Sequence, residues 1–331
     1  MTWYSRRQVV QGMGAMGLGL VAGCGRLPGQ APPTKVHRIG YLTGTVSASN
    51  LYEPFWQGLR EYGYVEGHNI VVDYRSAEAT VDQLSGLAAE LVGLPVDLIA
   101  AEASPAIHAA KQATSTIPIV MVIVADPVEQ GLVASLARPG GNITGLSTLA
   151  PQLSGKWMEL LKEVVPTLSR VAVLWNPDNP GVALMYSEAA VAARSLGLAV
   201  QSVEARRPDD LDGALAAVTR GGAEALIELP TLPVRDPTRL LEFAAKSRLP
   251  AMHAGSDRVA AGGLMSYWVS RPALARRAAY YVDRILKGAK PTDLPVEQPR
   301  EFDFIINAKT AHALGLTIPP HVLLQATEVI Q

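Results

Sequence analysis

Residues 98–127 read LIAAEASPAIHAAKQATSTIPIVMVIVADP. Two short β-rich runs, Leu98–Ala101 and Ile119–Ile123, enclose a stretch over Pro105–Ala113 that has helical composition and opens on a proline, the residue suited to a first helical turn. The run IPIVMVIVA is apolar throughout, as a buried strand requires, and it stops at Asp126-Pro127. Strand, helix and strand in this order form a parallel unit. The unit recurs on both sides. Upstream, strands are predicted over Arg38–Leu42 and Ile70–Tyr74, with helices over Tyr52–Tyr62 and Val81–Leu91. Downstream come a helix over Val128–Ala137 and a strand over Ile143–Leu146. A second series follows, with strands over Val171–Trp175, Leu198–Val203, Ala225–Leu229 and Ala251–His253, and helices over Val182–Ser195, Leu211–Val218 and Arg239–Lys246. The fold class is α/β, with two doubly wound parallel-sheet lobes.

Doubly wound lobes bind ligands at the carboxyl ends of their strands, so the segments just after each strand hold the candidate site. Thr43-Gly44-Thr45 follows the first strand, Ser104-Pro105 the third and Asp126-Pro127 the fourth. In the second lobe, Asn176-Pro177-Asp178-Asn179 and Pro230-Thr231 occupy the same places, and Tyr267 lies beyond them. Ser104 is placed to cap a helix, or to leave its free amides to an anionic ligand group. Asp126 at a strand lip has two roles open to it, an ion pair with a ligand ammonium or a cap on the next turn. Asn176 and Asn179 reach toward a ligand or form turns, which is the commoner use of Asn, Asp and Pro clusters. Aromatic residues are sparse, with 4 Phe, 5 Trp and 10 Tyr. Tyr41, Tyr52, Phe55, Trp175, Tyr267 and Trp268 are the ones placed to wall a pocket, with core packing the alternative for each.

Composition narrows the function class. Net charge is −1 with a pI near 6.6, which does not fit a nucleic-acid partner, since that requires a concentrated basic surface. The six histidines are scattered, most of them as surface or loop residues, without a His-Glu-x-x-His spacing, and no Gly-x-Ser-x-Gly elbow occurs. The run Gly140–Gly145 precedes a strand instead of following one, so it is a turn and no dinucleotide fingerprint. No metal site, no cofactor and no catalysis are expected.

The first 24 residues have the order of an export label: a basic start, a short apolar core and a small-residue end. Arg6-Arg7 followed by Gln8-Val9-Val10 resembles a twin-arginine signal. The apolar stretch Val9–Val21 is shorter than the roughly 20 residues of a spanning helix. It ends in Leu20-Val21-Ala22-Gly23-Cys24, which resembles the lipobox of bacterial lipoproteins, and Cys24 is the sole cysteine. Cys24 is therefore expected to carry the lipid, with no disulfide present, and residues 24–35, rich in Pro and Gly, to form a tether. Lipid-anchored placement in the periplasm or on the cell surface follows from this reading.

The segments FWQGLREYGYVEGHNIVVDYR, DPVEQGLVASLARPGGNITGLS, LSRVAVLWNPDNPG, YVDRILKGAKPTDLPVEQP and INAKTAHALGLTIPP occur in order. They resemble the ABC-transporter substrate-binding proteins of the type I periplasmic-binding fold, in the group that includes tryptophan-binding members. The resemblance implies a three-crossover hinge, with residues 36–149 plus 268–295 in lobe 1 and 150–267 plus 296–331 in lobe 2. It also implies a monomer that captures a small molecule, an amino acid or related compound, and passes it to an ABC permease and its ATPase. Ser104 would then take the ligand carboxylate and Asp126 the ammonium. Two places depart from the pattern: Trp268 stands where a glycine is usual, and Glu102-Ala103-Ser104 replaces Ala-Gly-Thr. A surface-anchored sensing lobe for a signalling partner and an exported hydrolase are the competing classes.

Overall fold

The computed structural model describes residues 35–44, 51–77, 81–230, 232, 236 and 238–331. In chain order the elements are β1 (His37–Thr43), α1 (Tyr52–Glu61), β2 (Ile70–Ser76), α2 (Leu84–Val92), β3 (Leu98–Glu102), α3 (Ser104–Ala113), β4 (Ile119–Val124) and β5 (Ile143–Ser147). There follow α4 (Ala150–Val164), β6 (Arg170–Trp175), α5 (Pro180–Ser195), β7 (Ala199–Glu204), α6 (Leu211–Arg220), β8 (Ala225–Glu228), α7 (Thr238–Lys246), β9 (Ala251–His253), α8 (Ser256–Ala260) and β10 (Met265–Trp268). The chain ends with α9 (Arg271–Leu286), β11 (Asp303–Asn307), α10 (Ala308–Leu314), α11 (Pro320–Leu323) and β12 (Glu328–Ile330).

Two sheets result, ordered β2-β1-β3-β4-β5 and β12-β11-β10-β9-β8-β6-β7. Every pairing is parallel except β10 with β11. Successive strand residues point to opposite faces, and both faces here are covered. On β3, Leu98 and Ala100 join the large central core while Ile99 and Ala101 join a cluster against α2 and α3. On β6, Val171 and Val173 face the central core, whereas Ala172 and Leu174 face a cluster with α6 and α7. This two-sided burial explains why the strands read as continuous apolar runs without alternation.

The chain passes from the first sheet to the second after β5, returns after β10 to lay α9 against α1 and the first sheet, and crosses again before β11. The third passage is tied to the first: Glu297 N donates to the Gly145 carbonyl and Ser147 N to the Glu297 carbonyl, at 3.0 and 2.8 Å. The approach of α1 to α9 depends on Gly58, where a Cβ would meet the Arg276 carbonyl at 2.3 Å and the Ala279 methyl at 2.7 Å.

Two local expectations change. Residues 128–137 form turns and no helix. The Asp126 carboxylate accepts from Val128 N and Glu129 N as a helix cap would, but Gly131, at φ +64°, ends the turn at once: Gly131 N donates to the Val128 carbonyl, and Leu132 N and Val133 N both close on the Pro127 carbonyl. Residues 150–164, with no predicted element, form α4, whose Trp157 indole N–H donates to the Tyr267 carbonyl at 2.6 Å. His253, at the end of the strand expected over Ala251–His253, is fully buried.

Candidate functional site

A cavity of about 430 Å³, counting its mouth, opens at the carboxyl ends of strands from both sheets. The first lobe supplies Ala103 and Ser104 after β3, Ile123–Ala125 at the end of β4, and Thr148 after β5. The second supplies Asn179, Gly181, Val182 and Met185 from the start of α5, with Pro230 after β8; Trp268 and Arg271 flank the second passage.

The chain reaches Ser104 through an unusual backbone. Ala103 has φ +69° and ψ 156°, a region that side-chain-bearing residues avoid at a cost of about 1–3 kcal/mol. Surrounding bonds hold it there: Ala103 N donates to the Ile123 carbonyl at 3.0 Å and the Ala103 carbonyl accepts from Ile107 N at 3.1 Å. A register shift against β4 at Ala101/Glu102 feeds this turn. Ser104 is thereby the first residue of α3 and not its cap, and no side chain caps that helix. The N-terminal dipole of α3 consequently meets the cavity wall uncompensated.

Opposite, Asn179 caps α5: its side-chain oxygen accepts from Gly181 N at 3.0 Å and Val182 N at 3.4 Å. Gly181 carries the contact between lobes. A Cβ there would lie 2.6 Å from Ser104 Oγ and 2.8 Å from the Ala125 methyl, so the two lobes touch through a backbone that admits no side chain.

Arg271 brings the charge. Its guanidinium lies 3.8 Å from Glu102 Oε1, and the Tyr41 hydroxyl donates to Glu102 Oε2 at 3.0 Å. Burial pulls Arg271 below its ordinary value while Glu102, Asp257 and Tyr41 oppose that pull; a guanidinium stays charged in proteins. Burial, with Glu102 beside it, pushes the Tyr41 hydroxyl well above the ordinary tyrosine range, so it remains a donor.

Of the residues singled out in the sequence, Ser104 and Asn179 line the cavity together, and Trp268 walls it. Asp126 does not line it: its carboxylate is turned onto Val128 N and Glu129 N, both at 3.0 Å. Asn176 accepts from Asp178 N within the NPDNP turn. Thr43 is buried at the end of β1 beside Ser76 and Glu102. Tyr267 stacks on Phe302 at 5.7 Å, away from the lining. Thr45, Thr231 and Cys24 lie outside the described residues. Tyr41, Tyr52 and Phe55 pack on one another, and Trp175 stacks on Tyr186 at 4.3 Å with its indole N–H on Ser202. Arg271 and Gly181 were missed, although Ser270-Arg271-Pro272 repeats the strand-then-proline opening that marked Ser104-Pro105. Among the described residues no group of three His, Cys, Asp or Glu side chains is arranged to hold a metal.

A paired set of strand-end loops around one cavity is a binding arrangement, and comparison with known proteins assigns it. A family model described as ABC transporter substrate binding protein matches residues 45–330. The chain belongs to that family. The family is one of solute-binding and not catalytic proteins. A relative named tyrosine-binding protein, from Clostridioides difficile, is 27% identical over 315 residues, covering 92% of this chain and 90% of the relative. A crystal structure from Streptococcus pneumonia in complex with L-Trp superposes with TM-score 0.82 at 27% identity, covering 89% of this chain and 100% of that one. A conserved domain protein of Vibrio cholerae gives TM-score 0.80 at 29% identity with the same coverage. These are the alpha/beta two-lobed proteins of the type I periplasmic-binding fold, and this family member shares that architecture.

Proposed function

We propose that this chain is a lipoprotein, anchored outside the cytoplasmic membrane through Cys24, that captures a small acid between its lobes and hands it to an ABC permease with its ATPase. The captured molecule is an amino acid or a related carboxylic acid, and the protein acts as a monomer. Residues 36–149 with 268–295 form one lobe and 150–267 with 296–331 the other. The observation that carries this reading is the cavity bounded by Ser104 of one lobe, Asn179 of the other and Arg271 at the passage between them. Ser104 and the first turn of α3 receive the carboxylate, since a helix N-terminus favours an anion. The relatives named for tyrosine and crystallised with L-Trp support an acid of this size. Closure around the ligand increases the closed population, which is the form the permease recognises.

A thermal-shift screen against amino acids, related carboxylic acids, purines and sugars tests the capture step. A ligand at 100 times its Kd adds about 2.7 kcal/mol of stability. If no carboxylic acid of any kind raises the melting temperature, the substrate class is wrong. For the anchor, Cys24→Ala is expected to release the protein from the membrane fraction; retention of the variant there removes the lipid from the account.

A further inference from the structure

Within the reading that this cavity holds the ligand, we infer that it selects a carboxylate without an α-ammonium group: a 2-oxo acid, or the plain acid, on an apolar body. The lining supplies hydrogen-bond donors and positive charge. Arg271 is a cation. Ser104, 3% exposed, makes no capping bond to α3 and leaves that N-terminus open. Trp268, 4% exposed, has a buried indole N–H with no hydrogen-bond partner among the described residues, and indole nitrogen is a donor only.

Acceptors and negative charge are correspondingly scarce. The Asn179 side-chain oxygen is taken by Gly181 N and Val182 N, and the Thr148 hydroxyl, which donates to the Val124 carbonyl, offers the cavity only a neutral acceptor oxygen. No Asp or Glu lines the cavity among the described residues. The acids nearby are otherwise placed: Glu102 is outside the lining, accepting from Tyr41 and facing Arg271; Asp257 is exposed; Asp126 holds its own turn. An ammonium entering this cavity would lose water next to a guanidinium, a like charge, with no lining carboxylate to pair with. A carbonyl or methylene at the same carbon avoids that penalty. A 2-oxo group also gives the donors an additional acceptor.

The test is calorimetric titration of the full chain in detergent with two matched sets: L-tyrosine, 4-hydroxyphenylpyruvate and 3-(4-hydroxyphenyl)propionate, and L-leucine, 4-methyl-2-oxopentanoate and 4-methylpentanoate. In the set that fits, the oxo acid or plain acid is expected to bind at least tenfold tighter than the amino acid. Equal or tighter binding of the amino acid overturns this inference while leaving the proposed capture of a small acid standing. Binding of none of the six overturns this inference, and the thermal-shift screen over carboxylic acids of every kind then decides whether the capture of a small acid stands. Arg271→Gln is expected to weaken the best acid at least tenfold; an unchanged Kd removes Arg271 from recognition. Should that variant not fold, the matched comparison on the unaltered chain still decides the question.

Discussion

Gly181→Ala isolates closure from folding. Gly181 belongs to α5 of the second lobe, and the two atoms a Cβ would strike, Ser104 Oγ at 2.6 Å and the Ala125 Cβ at 2.8 Å, belong to the first. Ser104 can rotate away, but the Ala125 methyl is fixed to backbone at the end of β4. The lobes must therefore separate locally by about half an ångström or more to reach ordinary contact near 3.5 Å. Overpacking of this kind costs about 1–3 kcal/mol. Because the penalty falls on the closed form alone, it transfers to ligand affinity at about 1.4 kcal/mol per factor of ten, an expected weakening of roughly 5- to 150-fold. The assay is calorimetric Kd for the tightest-binding acid of the matched sets, alongside small-angle scattering of the ligand-free protein and its thermal melt. The radius of gyration is expected to rise while unfolding of the separate lobes stays put. An affinity within twofold of the unsubstituted protein, with unchanged scattering, refutes the claim that this backbone contact sets closure.

Three further outcomes follow from packing and charge. Gly58→Ala drives a methyl into the Arg276 carbonyl and Ala279, and is expected to cost about 1–3 kcal/mol in denaturant unfolding; a neutral result means α1 and α9 are less closely seated. Glu228 accepts from Arg258 at 3.0 Å and pairs with His253 Nδ1 at 2.7 Å; burial raises its carboxyl, but these partners hold it below its ordinary value. A depressed carboxyl stabilises above the unfolded value, about 4.3, and loses that contribution as pH falls through the lower folded value. Glu228→Gln is therefore expected to cost about 3–5 kcal/mol near pH 7, and the gap from the unsubstituted protein to narrow below about pH 4; a gap independent of pH contradicts the pairing. Trp157→Phe leaves the buried Tyr267 carbonyl without its donor and is expected to cost about 1–3 kcal/mol, read by the same denaturant titration.

The run IPIVMVIVA and its neighbours declared a strand buried on both faces, and that alone forces helices onto both sides of a parallel sheet, because a one-sided sheet would leave half those side chains in water. The place of Ser104 and Asn179 at the cavity was legible for a related reason: polar residues beside a proline, just after an apolar run, open helices at the carboxyl edge of the strands. Residues 128–137 carry helical composition, yet Gly131 takes φ +64° and sends Leu132 N and Val133 N back to the Pro127 carbonyl, closing the turn where composition would continue a helix. Asp126, open in sequence to a ligand or to a cap, places Oδ1 on Val128 N and Glu129 N.

Local sequence thus determined the succession of strands and helices in each series and the strand-end segments that border the cavity, since these depend on residues within one turn or one pleat of each other. It did not determine that Arg271 stands beside Glu102, 169 positions apart in the chain, or that Gly181 meets Ser104 across the cleft. Those contacts come from the passages between lobes, which bring the ends of two separate sheets together, and no periodicity in the chain encodes a distance between sheets.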